Sequence, residues 1–500
     1  MTSPNKDCAF CGDNATLKCC GCENLYYCCK EHQKIHWDKH SKDCKPYKLV
    51  QDKELGSYFV TTRNIKVGEV LFKEKPLLTG PCWSTAPVCL NCFVSLKKDN
   101  AKPCTKCDWL LCKNCKGHGP ECDFIASRRF EKLANIEFSS TSPDSDHINV
   151  LNPLYESINV IKILSMKDAD PPAYEKVMSL ARPNSELEDL QDMINMISII
   201  RKYFKMENIT DEEIMKVTII LQLNGFTVPR AKPSHLAVYE LSSFTEHSCR
   251  PNCTKMWSSE NEFIVQAVTP IAKGDHITLS YINPLWGTKI RNSKLFLKRY
   301  AYCNCDRCKD PTEFGVMFNA LKCADVECPG YVLPETFLGT EPLPYICDTC
   351  KSEMSCDQVE RILEGVRSNF LKTRDESITA CDKFLKRYDI ILHPNHFYNV
   401  GIMIALVEFL RPECLKLENE NLLVERLELF EKLNQLLKTI APAEIHIRGT
   451  IIRLHALALA AQAKKKLQEA DDLLKYEPDL LKDGKIVARQ MYQMMAYKSK

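Results

Sequence analysis

Twenty-eight cysteines in a chain of 500 residues constrain its fold more than any other feature, because of where they lie. Sixteen fall within residues 1–122, nine within 249–350 and three in the last 150 residues. The N-terminal stretch MTSPNKDCAF lacks the apolar core of a secretory signal, and no run approaches the ~20 apolar residues that span a bilayer. No membrane contact is expected. The expected setting is cytoplasmic and nuclear, where thiols stay reduced and CxxC pairs read as metal sites rather than disulfides. Charged residues at 26% and apolar residues at 45% are ordinary globular values, and this length holds about three domains. Lys and Arg number 67 against 65 Asp and Glu. The basic footprint of a dedicated nucleic-acid binder is missing, so no direct nucleic-acid contact is expected.

The first cysteine cluster holds Cys8, Cys11, Cys19, Cys22, Cys28, His32, His40 and Cys44. Zinc takes four such ligands in a tetrahedron, so eight imply two ions. A segment this short buries too little apolar surface to fold alone, and metal binding supplies on the order of 10 kcal/mol per site. From Cys28 the ligands read as a helix, with Cys28 and His32, then His40 and Cys44, each one turn apart. The strings CAFC, CCGC and YYCCKEHQKIHWDKHSKDC resemble a MYND zinc finger, including Gln33 and Trp37, which that pattern places between its third and fourth ligand pairs. The resemblance implies interleaved ligands: Cys8, Cys11, Cys28 and His32 on one ion, Cys19, Cys22, His40 and Cys44 on the other. It also implies binding of short proline-containing peptides.

Residues 54–81 alternate and are rich in β-branched side chains, which predicts two or three short strands with a turn at Lys66–Gly68. Eight more ligands follow at two-zinc spacing: Cys89, Cys92, Cys104, Cys107, Cys112, Cys115, His118 and Cys122. They resemble a second, degenerate MYND-type module without the Gln and Trp. Residues 128–222 read as helical, interrupted by an acidic, proline-containing linker at 168–172.

Beyond them stand, in order, NGFTV, LSSFTEHSCRPNCTKMW, FIVQAVTPIAKGDHITLSYINPLWGT and YAYCNCDRC. The set resembles the SET domain of the SET-and-MYND (SMYD) family of protein-lysine methyltransferases, which use S-adenosylmethionine, and the phrasing is most similar to the arthropod SmydA branch. The strands at 54–81 are then the first part of that domain, split by the second zinc module. Cys303, Cys305 and Cys308 supply three thiolates, and the resemblance provides the fourth as Cys249. Cys323, Cys328, Cys347 and Cys350 complete a further four-thiolate site. Twenty-four ligands make about six zincs. Cys20, Cys29, Cys82, Cys253, Cys356, Cys381 and Cys414 are left over.

The expected organisation is α+β and multidomain. It comprises a zinc-stabilised MYND finger at 1–48, the first part of a split β-rich SET domain at 52–82, an inserted zinc module at 83–125, a helical insert at 126–222 and the SET core at 223–290. A post-SET zinc site at 291–312, a four-cysteine knuckle at 313–355 and a TPR-like helical domain at 356–500 complete it. In that last region Leu423, Leu427, Phe430, Leu433, Leu437 and Ile440 lie on one helical stripe, as a packing face does.

The resemblance assigns Tyr281 to catalysis and Gly56, Ser57, Tyr58, Asn224, Glu246, His247, Tyr281 and Tyr300 to S-adenosylmethionine. Three residues depart from the family pattern: Tyr58 stands for a glycine, Glu246 for an asparagine and Ala301 for an aromatic. Two functions follow as expectations. One is a methyltransferase, acting as a monomer on a protein lysine in transcriptional or chromatin regulation. The other is an inactive SET-fold adaptor that recruits partners through its MYND finger.

Overall fold

A computed structural model describes residues 7–41, 44–52, 56–82, 87–96, 99–129, 153–180, 190–229, 234–299, 302–339, 341–413 and 420–475, with 486 and 490. Tyr300, Ala301 and Cys414 lie outside them. The chain divides into two compact units: residues 1–247, 252–279 and 295–301 form the first, and 248–251, 280–294 and 302–500 the second.

In the first unit, Cys29 leads into the helix Lys30–His40 from an extended conformation, and Lys39 and His40 complement the helix's negative end. The helix is shorter than expected at both ends. Cys28 and Cys44 lie outside it, because each must turn toward ligands from other parts of the finger. Thr62 Oγ1 donates to Cys22 O (2.6 Å) and Arg63 Nε to Gly21 O (2.7 Å), which fastens the finger to the hairpin that follows.

That hairpin pairs Tyr47–Asp52 with Gly56–Thr61. Val70–Glu74 joins Phe263–Ala267 and Cys253–Trp257 in an antiparallel sheet, so strands nearly 200 residues apart in sequence share one layer. The turn expected at Lys66–Gly68 is present, with Gly68 at φ 86°, a backbone that favours glycine. Glu246–His247 and Thr278–Leu279 pair in parallel.

A second sheet of Leu78–Pro81, His235–Val238 and Gly225–Val228 lies against the helix Pro153–Ala169. Three further helices, Pro171–Met178, Leu190–Tyr203 and Asp211–Asn224, join its core, where Ile161, Leu164, Ile200 and Leu221 meet Trp109 of the second zinc module. The stretch 168–172 is a joint rather than a linker. Asp170 Oδ1 accepts from Ala173 N (3.1 Å), and Pro171 takes a first-turn position that needs no N–H, so one residue ends the first helix and caps the next.

The second unit opens its globular part with a sheet of Leu321–Lys322, Tyr331–Pro334, Tyr345–Cys347 and Glu353–Met354. Ser355 and Gln358 form a reciprocal cap at the helix Cys356–Thr373, and the helices Ile378–Tyr388, Phe397–Glu413, Glu420–Val424, Leu427–Ile440 and Ile445–Leu473 follow, as the C-terminal expectation had it. The leucine stripe is a packing face: Leu423, Phe430, Leu433, Leu437 and Ile440 are buried. Leu427 is only half-buried, because the helix breaks after Val424, and Leu436 joins the face instead. Among the described residues, no helix is long and apolar enough to cross a membrane.

Candidate metal centres and cofactor site

The finger gathers Cys8, Cys11, Cys28 and His32 into one group and Cys19, Cys22, His40 and Cys44 into another, with the ligand atoms of each within 4.8 Å of one another. The two histidines use different nitrogens. His32 turns Nδ1 to Cys28 Sγ (3.0 Å), whereas His40 turns Nε2 to Cys19 Sγ (3.2 Å) and Cys22 Sγ (3.5 Å). Gly21 makes room for this: a Cβ there would stand 2.6 Å from Cys44 Sγ.

In the second module the pairing that spacing left open is also interleaved, with Cys89, Cys92, Cys112 and Cys115 in one group and Cys104, Cys107, His118 and Cys122 in the other. In the second unit Cys249 joins Cys303, Cys305 and Cys308. Further along, Cys323 Sγ lies 3.6 Å from Cys350 Sγ, and Cys328 Sγ 3.7 Å from Cys347 Sγ. Sets of three or four thiols with at most one imidazole suit zinc. The thiols also need a cation to ionise together. Hydrogen bonds from Cys303, Cys305 and Cys308 push Cys249 up, while the bond with Cys249 brings Cys305 down to about 6.

Sequence reasoning named the cysteines and histidines that gather here and missed what holds them. His118 Nε2 faces Cys107 Sγ (3.1 Å), and His118 Nδ1 donates to Glu121 Oε1 (2.9 Å), with Lys162 Nζ 3.5 Å from the same oxygen. Burial works to raise the Glu121 carboxyl's pKa, but the His118 bond and the Lys162 charge outweigh it and leave the pKa below the ordinary value. A carboxylate behind a ligating histidine fixes its tautomer and orientation. Glu121→Gln is therefore expected to weaken zinc retention by the second module about 10- to 100-fold, measured by competition with a chromogenic chelator. An unchanged competition curve would show that Glu121 serves packing alone.

Around Cys249 the supporting layer is ionic. Glu313 Oε1 accepts from Thr288 Oγ1 (2.7 Å), Asn319 Nδ2 (2.8 Å) and Arg291 Nη1 (3.0 Å), and Oε2 accepts from Arg307 Nε. Arg307 Nη1 in turn donates to Cys249 O (3.0 Å), Pro284 O (2.8 Å) and Ile440 O (3.0 Å). Arg291, Arg307 and Glu313 are all fully buried. The only visible signal was Arg307 standing between the ligands Cys305 and Cys308, which spacing alone does not interpret.

Apart from Tyr281, the described residues assigned to the cofactor fall on separate elements of the first unit. Gly56 opens its strand at φ 75°, with open space where a Cβ would stand, and Ser57 and Tyr58 follow it. Asn224 ends the helix Asp211–Asn224, fully buried, with Nδ2 donating to Ile220 O (2.9 Å). Glu246 and His247 form the short strand beside Thr278–Leu279. Tyr281 belongs to the second unit and is half-buried. No motif had singled out His276. Its Nδ1 bonds to Glu246 Oε2, and its ring stacks on Tyr58, centroids 4.5 Å apart and planes at 20°.

Residues 8–44 match the MYND finger family and residues 56–282 the SET domain family. The chain carries a MYND finger and a SET domain. Its SET range encloses the second zinc module and the four helices that follow it. The SET domain-containing protein SmydA-8, isoform A, of Drosophila melanogaster is 25% identical over 58% of this chain and 62% of its own length. The histone-lysine N-methyltransferase ASHR1 of Arabidopsis thaliana is 25% identical over 63% of this chain and 65% of its own. The histone-lysine N-methyltransferase SMYD3 of Mus musculus is 24% identical over 49% of this chain and 57% of its own. In all three the similarity spans less than two thirds of the relative.

Proposed function

We propose that this protein is an S-adenosylmethionine-dependent protein-lysine N-methyltransferase that acts on cytoplasmic or nuclear proteins, among them regulators of transcription and chromatin. The observation that carries this reading is the SET match over residues 56–282, a range that holds every assigned cofactor position except Tyr300. The relatives named as histone-lysine methyltransferases support the same reaction class.

The residues fit the cofactor by the chemistry of their donors. Its amino-acid end carries both an ammonium and a carboxylate; Glu246 offers an acceptor, His276 a donor, and Gly56 leaves open space. When bound, the cofactor supplies an electrophilic methyl group on a sulfonium. The rest falls to the protein. A lysine amine has an ordinary pKa of about 10.4, so the site must favour its neutral form, which desolvation does. Tyr281 then orients the amine for an in-line approach, where alignment lowers much of the barrier.

Tyr281→Phe is expected to lower methyl transfer to a lysine-bearing protein on the order of 100-fold, as loss of one aligned hydroxyl does, with a much smaller loss of cofactor affinity. Transfer of a labelled methyl group to a protein panel measures the first, and calorimetry the second. Full activity in the variant would remove Tyr281 from the reaction.

A MYND finger is a protein-interaction domain, and here Phe10, Ile35 and Trp37 are exposed on it, with Trp37 edge-on to His40 (5.8 Å, 78°). Such an apolar face suits a proline-containing peptide. One observation favours the adaptor reading: Tyr58 and Glu246, both at cofactor positions, are engaged with His276. Titration with S-adenosylmethionine decides between the two, and no binding at millimolar cofactor leaves the adaptor.

A further inference from the structure

Two of the three residues that depart from the family pattern meet at one side chain. The segment Asp275–Leu279 runs between two strands. On one side Ile277 N donates to Phe59 O (2.9 Å) and Thr61 N to Asp275 O (2.9 Å); on the other, Glu246 N donates to Ile277 O (3.2 Å). His276 is thereby held between Tyr58 and Glu246, bonded to one and stacked on the other. The pair remains reachable, since the His276 side chain is 41% exposed and that of Glu246 23%.

A glutamate alone is a poor partner for a ligand that carries an ammonium and a carboxylate side by side. It accepts but cannot donate, and its charge repels the carboxylate. Beside a protonated imidazole the balance changes: the pair is neutral overall, Glu246 keeps an oxygen for the ammonium, and the imidazolium offers N–H to the carboxylate. The Tyr58 ring lies over that imidazole, where an aromatic face favours a cation.

We propose that Glu246 and His276 act as one neutral donor–acceptor unit for the amino-acid end of S-adenosylmethionine, and that binding is coupled to a proton on His276. The inference rests on the cofactor reading above. His276 is a positioning residue, and Tyr58 stands where its ring supports the charged imidazole. The neighbouring titratable groups are these. Asp275 is turned onto Ala272 N (3.1 Å), Lys48 takes the register position opposite Val60, which is bridged to His276, and His247 follows Glu246 on its strand. Asn252 Nδ2 donates to His276 O (2.8 Å) and fixes the backbone there.

The sign follows directly. The bound state favours protonated His276, so affinity falls as pH rises, by up to about tenfold per pH unit. Calorimetric titration of the full chain with S-adenosylmethionine from pH 5.5 to 8.5, in two buffers of different ionisation enthalpy, reads both the affinity and the proton taken up. Wild type should show this slope, with proton uptake on binding. Glu246→Asn should bind with the slope abolished. His276→Ala should lose at least about tenfold at the acid end of this range, since an unanswered carboxylate remains, and His276→Ala with Glu246→Asn should recover most of the loss. That recovery separates a paired role from simple damage to the fold. Binding without pH dependence, or an unchanged His276→Ala, would overturn the inference and leave the cofactor reading standing. No binding by wild type and by Glu246→Asn alike would end the cofactor reading and this one together.

Discussion

Stripping the metal from the N-terminal finger should unfold it. The buried apolar cluster there consists of Cys8, Ala15, Cys19, Cys22 and Tyr27, so three of its five members are themselves ligands. The helix Lys30–His40 buries only His40, another ligand. With so small an apolar core among its described residues, the finger depends on binding free energies of roughly 10 to 16 kcal/mol per structural zinc. After chelation, amide protection in Lys30–His40 is expected to disappear while that of Phe397–Glu413, packed on an apolar core, persists. Elemental analysis of the untreated protein should find about six zincs per chain, one for each four-ligand group. A helix that stays protected without metal, or a metal content near two, would sink this account.

Replacing Glu313 should destabilise the second unit by about 3 to 5 kcal/mol, the usual cost of removing one partner from a buried ionic group. The magnitude follows from what is left behind. Glu313→Ala strands two fully buried guanidiniums, Arg291 and Arg307, and frees the amide of Asn319 and the hydroxyl of Thr288. Arg307 then no longer has the counter-charge that keeps it bridging Cys249 O, Pro284 O and Ile440 O. Urea unfolding of the variant measures the loss, and zinc release at low urea should rise with it, because Cys249 belongs to a four-thiol group. A loss below about 1 kcal/mol would mean that the network is replaceable.

The same carboxylate carries a pH signature. Burial tends to raise its pKa, but Arg307 and Arg291 more than offset this and hold it below the ordinary value of a glutamate. A group depressed on folding adds stability above its unfolded pKa, about 4.3 for glutamate, and loses it as pH falls through the folded value. The contribution of Glu313 is thus intact at neutral pH and is lost only in acid.

The zinc ligands were legible because CxxC spacing and the shortage of apolar residues act locally: two thiolates from one tight turn need no knowledge of the rest of the fold. Helical phases were legible for the same reason, although their ends were not. Cys28 and Cys44 leave the helix to reach ligands elsewhere in the finger, and Asp170 turned an expected linker into a shared cap. The SET resemblance was carried by short motifs in a fixed order, and it encloses the candidate site without explaining its unusual residues.

By itself, the sequence determined which cysteines and histidines gather in groups, that the SET range encloses the second of those clusters, and that the C-terminal region is helical. Each of those rests on residue type, spacing or period. Only the tertiary structure decided that Glu121 stands behind His118, that Glu313 joins two buried arginines beneath Cys249, and that His276 links Tyr58 to Glu246. The last of these links joins residues 30 and more than 200 positions apart. Such contacts are set by the parallel pairing of Glu246–His247 with Thr278–Leu279 and by the hydrogen bond from Ile277 N to Phe59 O. Strand pairing between distant segments leaves no periodic trace in either segment, so the chemistry at their junction appears only once they meet.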